Sequence, residues 1–266
     1  MDPIAYVDHL NQFYRSQGFP AYQWTINDSA PLTPMSKPLS ACRVAMLTSG
    51  GVSRKDTHPF NPQARNDLRL DAVASDTAAD FFVISDDYYN HADAERDINC
   101  IFPIERMREL AAERVIGEVA PHHYSGFMGR TYNRSAVINE AAPALARHLH
   151  DENVDAFVMV PGCPLDHQTV GLVARVVEEA GIPTVVVGTG RDLCAQVRPP
   201  RAVFINFPMG NPFGKPFDKL RQRTILLDAL LALESIKRGG EIIDLPYEWD
   251  VPFEIYLGSG GRAKTA

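Results

Sequence analysis

From residue 43 to residue 206 the chain alternates short apolar runs with longer stretches whose apolar positions recur every three or four residues. Arg43–Thr48, Asp80–Ser85, Ala156–Val160, Thr184–Gly188 and Ala202–Asn206 predict strands. Several are apolar throughout, as parallel strands covered on both faces require. Helices are predicted at about 103–113, 134–150, 164–180 and 216–238. The third is the clearest, because Val170, Val173, Ala174 and Val177 fall on one helical face and Gly181 stands where a C-terminal glycine belongs. Such alternation predicts an α/β fold: a doubly wound, mostly parallel sheet with helices on both faces, flavodoxin- or Rossmann-like. Residues 1–40 are expected to form a short helix (near 3–16) and an irregular lead-in rich in Pro, Ser and Thr. Residues 41–252 would then be a single α/β catalytic domain, and 253–266 a flexible tail.

Bulk composition narrows the function classes. At 266 residues, 45% hydrophobic and 22% charged, the chain is long enough for a substantial core. A net charge of -7 and a pI near 5.6 offer no basic footprint for nucleic acid or an anionic membrane. No apolar run is long enough to cross a bilayer, and Met1-Asp-Pro-Ile does not begin a signal peptide. Cys42, Cys100, Cys163 and Cys194 have neither CxxC nor zinc-ligand spacing, which reads as free thiols in a cytoplasmic protein.

In a doubly wound sheet, ligands bind beyond the carboxyl ends of the strands. Those ends carry Thr48-Ser49-Gly50-Gly51, Ser85-Asp-Asp87-Tyr88, Gly162-Cys163-Pro-Leu-Asp166-His167, Gly188-Thr-Gly-Arg and Pro208-Met-Gly-Asn211. Cys163 has the strongest chemistry. Pro164 suits the first position of a helix, which puts Cys163 at the N-cap, where unpaired amides and the helix dipole favour thiolate. The competing reading is a small buried hydrophobe. Asp166, at the third helical position, either caps the helix or moves protons, and His167 is a further acid/base candidate. Ser49, Gly50, Gly51, Asp87, Tyr88, His122, His123, Tyr124 and Asn211 are candidate substrate contacts. His91, His122 and His123 lack HxH or HExxH spacing, so no metal is predicted. No haem, flavin or pyridoxal signature is present, and no resident cofactor is expected.

Several ordered segments resemble the selenoprotein B family of glycine, sarcosine, betaine and D-proline reductases, especially its shorter bacterial relatives. They are Val44-Ala-Met-Leu-Thr-Ser-Gly-Gly-Val, Arg96-Asp-Ile-Asn-Cys-Ile-Phe-Pro-Ile-Glu-Arg and Ile116-Gly-Glu-Val-Ala-Pro-His-His-Tyr-Ser-Gly-Phe-Met-Gly. Cys163-Pro-Leu-Asp-His-Gln-Thr-Val-Gly-Leu-Val-Ala-Arg, Gly181-Ile-Pro-Thr-Val, Pro208-Met-Gly-Asn-Pro-Phe-Gly-Lys-Pro and Asp244-Leu-Pro-Tyr-Glu-Trp complete the set. The resemblance implies reductive C–N cleavage through a selenium or sulfur adduct, with Cys163 at the selenocysteine position and Asp166 at that of the resolving cysteine. An external thiol would then supply electrons, with Cys194 as the only internal candidate. The resemblance also implies a small amine or amino-acid derivative as substrate, a thiol-reductant or acceptor protein as partner, and a homo-oligomer. Asp166 keeps two alternatives open: a redox-neutral cysteine-dependent lyase, hydrolase or isomerase, and a non-catalytic binding subunit.

Overall fold

The computed structural model describes residues 2–253, 255–256 and 262–263. In chain order its elements begin with α1 (Tyr6–Ser16), β1 (Arg43–Thr48), β2 (Val52–Arg54), β3 (Leu70–Ala74) and β4 (Phe82–Ile84). They continue with α2 (Ala92–Arg96), α3 (Ile104–Ala112), β5 (Glu118–Val119), β6 (His122–Gly126) and α4 (Arg134–Ala136). A π-helical turn, Val137–Ala141, leads into α5 (Ala142–Asp151), followed by β7 (Ala156–Val160), α6 (Pro164–Glu179), β8 (Thr184–Gly188) and α7 (Arg191–Val197). Last come β9 (Arg201–Asn206), α8 (Lys219–Ser235), β10 (Glu241–Glu248), β11 (Ile255–Tyr256) and β12 (Arg262–Ala263). The remaining residues of the expected tail lie outside the described ones.

The main sheet runs β10-β9-β8-β7-β1-β6-β3, with β5 also paired to β1. All its pairings are parallel except β3 with β6. This is the α/β sheet that the alternating pattern predicts. Side chains of β1 alternate between its faces. Val44 and Met46 join a layer with α3 and α8, while Ala45 and Leu47 join one with α5 and α6. The strand order places β6 on one side of β1 and β7 on the other, so the chain reverses its direction of winding between β1 and β7. Loops leaving those two strands diverge and open a crevice at their carboxyl ends.

The expected second strand differs. Only Phe82–Ile84 is extended; it is half-buried and pairs antiparallel with β2, outside the main sheet. Its place beside β1 belongs to β6, whose His-His-Tyr-Ser-Gly sequence lacks the β-branched signature of a core strand. The lead-in is pinned to α6. Thr25 N–H donates to Gln168 Oε1 at 2.7 Å, and Thr33 N–H to Glu178 Oε1 at 2.6 Å. Glu178 in turn pairs with Arg201 at 2.6 Å, both fully buried, and Arg201 donates to the Thr33 carbonyl at 2.7 Å. Among the described residues, no helix is long and apolar enough to cross a membrane.

Candidate active site

The crevice between β1 and β7 is built glycine against glycine. A Cβ on Gly162 would stand 2.7 Å from Gly50 Cα, and Ser49 Oγ accepts the Gly162 N–H at 3.1 Å. Gly51 has φ +67, and a Cβ there would meet the Ser85 carbonyl at 2.4 Å, so only glycine lets the loop after β1 lie against the loop after β4. Tyr89 closes the back, its hydroxyl donating to the Gly50 carbonyl at 2.6 Å.

Cys163 caps α6 as expected, with extended backbone and Pro164 in the first turn. The Asp166 N–H faces its sulfur, and Asp166 Oδ2 accepts the Cys163 N–H at 3.0 Å. Oδ1 of the same carboxyl accepts the Gly129 N–H at 2.7 Å, binding the loop after β6 to the helix start. The electrostatics reverse the thiolate expectation. Cys163 is 1% exposed, and burial pushes its thiol well above the ordinary range, with Asp166 and Asp86 adding repulsion. Burial also raises Asp166 to about 7, against the pull of its two backbone donors. Asp86 is held well above the carboxylate range by burial and then by Asp166. Its Oδ1 accepts the Tyr88 N–H at 2.6 Å; Oδ2 is buried with no partner. Burial of the sulfur, with two carboxyls beside it, outweighs the helix N-terminus here.

His167, the further acid/base candidate, has both ring nitrogens engaged by the backbone. It is buried, its Nδ1–H donates to the Cys163 carbonyl at 2.8 Å, and Nε2 accepts from Thr189 and Gly190 N–H at 3.1 and 3.0 Å. Both nitrogens are committed, and burial lowers its pKa to about 4. It positions the Cys163 backbone against the loop after β8.

The other candidates disperse. His122 starts β6 at the end of the sheet away from Cys163 and pairs with Glu152 at 2.5 Å. His123 is buried in the core, where its Nδ1 accepts the Met46 N–H at 3.1 Å and burial lowers its pKa to about 3. Tyr124 packs on Phe157 in the α5–α6 layer. Asn211 donates to Asp93 and to the Gly214 carbonyl, both at 3.1 Å, beside a separate cavity. Asp87 takes a hydrogen bond from Gln63 at the pocket edge. Ser49, Gly50, Gly51, Tyr88, Cys163 and Asp166 do gather in the crevice or line the pocket above it. Among the described residues no three His, Cys, Asp or Glu side chains stand together as a metal site.

Above Cys163 lies a cavity of about 240 Å³. Cys163 and Pro164 line it together with Tyr88, Arg130 and Tyr132 and with Leu10, Phe13 and Tyr14 of α1. A larger groove of about 1300 Å³ beside β4 and α3 holds none of the expected site residues. Asp86, Tyr14, Arg130 and Tyr132 were not legible as site residues in the sequence. Asp86 adjoins the chosen Asp87, and the other three sit in segments with no strand-end pattern.

The family model for glycine/sarcosine/betaine reductase selenoprotein B matches residues 14–161. The chain belongs to this family. The D-proline reductase subunit gamma of Acetoanaerobium sticklandii is 36% identical over 217 residues, covering 82% of this chain and 88% of that one. The glycine reductase complex component B subunit gamma of Symbiobacterium thermophilum is 29% identical, covering 82% and 52%. The sarcosine reductase complex component B subunit beta of Peptoclostridium acidaminophilum is 27% identical, covering 80% and 50%. Against the glycine and sarcosine relatives, therefore, the chain spans about half their length. No solved structure matches it.

Family membership makes the electron route a structural question. All four cysteines are free and buried. Cys163 belongs to the α3–α8 layer and Cys194 to the α5–α6 layer, with the Cys194 thiol pushed up to about 12 by burial. Nothing in this placement favours Cys194 as the internal partner of Cys163.

Proposed function

We propose that this chain is the reaction-bearing subunit of a thiol-dependent reductase that opens the C–N bond of a small amine or amino-acid derivative through Cys163. The observation that carries the reading is Cys163 in the lining of an aromatic pocket, beside the Asp166 carboxyl that burial raises to about 7. Asp166 takes the thiol proton as sulfur attacks the carbon bearing the amine; a C–S bond forms, the C–N bond breaks, and the amine leaves with that proton. An external thiol then attacks the sulfur. The carbon fragment departs with a proton, and Cys163 is left in a mixed disulfide that a second thiol reduces. Two thiols become one disulfide, and one C–N bond becomes C–H and N–H.

The names of the relatives direct the substrate screen to D-proline, sarcosine and glycine, with the chain assembled with its partner subunits. Amine release dependent on dithiothreitol, abolished in Cys163→Ser, is expected. Unchanged release in that variant would overturn the covalent role. Asp166 at the resolving position favours a second reading, a redox-neutral lyase, which predicts turnover without consumption of thiol.

A further inference from the structure

The pocket at Cys163 adjoins a second cavity of about 420 Å³, the two sharing Tyr14, Arg130 and Tyr132. Arg65 and Arg134 line the second cavity with Arg130, and neither cavity is lined by an Asp or Glu. In a chain of net charge -7 this is a local inversion of sign. None of the three arginines forms an ion pair with a carboxylate among the described residues, unlike Arg43, Arg54, Arg69, Arg191, Arg201 and Arg223. Arg134 lies over the Tyr22 ring at 5.6 Å and reaches the Gln23 carbonyl, leaving its Nε buried and unpartnered. Of the three, Arg130 alone lines the pocket with Cys163, where it is hydrogen-bonded to the Tyr132 phenol and stands by Tyr14 and Tyr88, both raised by burial. A guanidinium with no carboxylate partner in a partly desolvated aromatic site suits an anion small enough to share the space.

We infer that Arg65, Arg130 and Arg134 form an anion-recognising vestibule, in which Arg130 holds the carboxylate of a small substrate and turns its adjoining carbon toward the Cys163 sulfur. The inference rests on the proposed role of Cys163 and assigns the polarity of the bound molecule: carboxylate toward Arg130, reacting carbon toward Cys163. Arg65 and Arg134 line only the second cavity and gather anions from solvent, so their contribution falls with ionic strength while that of Arg130 persists.

Iodoacetate and iodoacetamide test this with the intact chain, because they deliver the same carbon with and without a carboxylate. In each, a C–S bond forms, iodide leaves and the thiol proton goes to solvent. The rate ratio of iodoacetate to iodoacetamide at Cys163, read by peptide mass spectrometry, should exceed that for free cysteine by about 10- to 100-fold, the worth of one charge-assisted hydrogen bond. Acetate should compete, Arg130→Gln should bring the ratio back to the free-cysteine value, and Arg130→Lys should keep part of it. A ratio equal to that of free cysteine, or one untouched by Arg130→Gln, overturns the vestibule while leaving the role of Cys163 standing. Protection by inorganic phosphate at lower concentration than acetate overturns the carboxylate assignment. If Cys163 resists both reagents, the covalent role fails, and the anion site is judged alone by the arginine Nε resonance that disappears in Arg130→Gln. Its shift on acetate titration supports the site, and its indifference overturns it.

Discussion

The Asp166 carboxyl accepts the Cys163 N–H at 3.0 Å while standing beside the thiol of that same residue. One side chain therefore fixes the backbone that presents the sulfur and opposes its ionisation. Replacing Asp166 by Asn keeps the volume and an acceptor for the backbone but removes the repulsion. The apparent pKa of Cys163, followed by the pH dependence of iodoacetamide alkylation, is expected to fall in Asp166→Asn. A thiol titrating unchanged or higher would show that Asp166 does not govern it.

Stability should also carry the mark of Asp166. Its pKa rises from about 3.9 unfolded to about 7 in the fold. The folded chain thus binds more protons than the unfolded one in this interval. The contribution is full below pH 4 and is lost as the pH climbs through 7. Urea unfolding should show the stability difference between wild type and Asp166→Asn shrinking from pH 4 to pH 7, by roughly a few kcal/mol. A difference that stays flat, or grows, would contradict the buried, protonated carboxyl.

His167 supplies the opposite slope. Its folded pKa of about 4 lies below the unfolded value of about 6.5. Its share of stability is complete above pH 6.5 and is lost as the pH falls toward 4. In His167→Gln the acid-side loss between those limits should be smaller than in wild type. The variant as a whole should be less stable by about 1–3 kcal/mol, because backbone donors at Thr189 and Gly190 lose their acceptor.

The buried pair of Glu178 and Arg201 should behave as a unit. Arg201→Met alone leaves an uncompensated carboxylate and is expected to cost about 3–5 kcal/mol. Combining it with Glu178→Gln should recover part of that loss. A double-mutant cycle by urea unfolding measures the coupling, and strict additivity would refute it.

Much of the architecture was legible because the strands that flank the site, Arg43–Thr48 and Ala156–Val160, bury both faces and so contain no polar interruption. The strand at His122–Gly126 was not. Its polar side chains find partners in the surrounding fold, Ser125 the Val52 carbonyl and His123 Nδ1 the Met46 amide, and such partners are set by tertiary structure alone. Cys163 was legible through Pro164 and the helix start, whereas the state of its thiol was not, since that depends first on burial and then on Asp166 and on Asp86 arriving from a distant loop. Between Asp86 and Asp87 only burial distinguishes the two carboxylates, and neighbours in an irregular loop show no periodicity from which burial could be read.

Helix α6 presents Cys163 at its first turn and holds the lead-in at Gln168 and Glu178 farther along. The lead-in continues from α1, whose Leu10, Phe13 and Tyr14 line the pocket. Cys163 and the lead-in that follows α1 are thus tied to one helix, the first at its start and the second farther along. Helix α1, which lines the pocket beside Cys163, has two further tethers, the Val7 N–H on Asp192 at 2.8 Å and the Tyr22 N–H on Asn11 at 3.0 Å, so a change in either bears on the pocket without touching the residues that carry the chemistry.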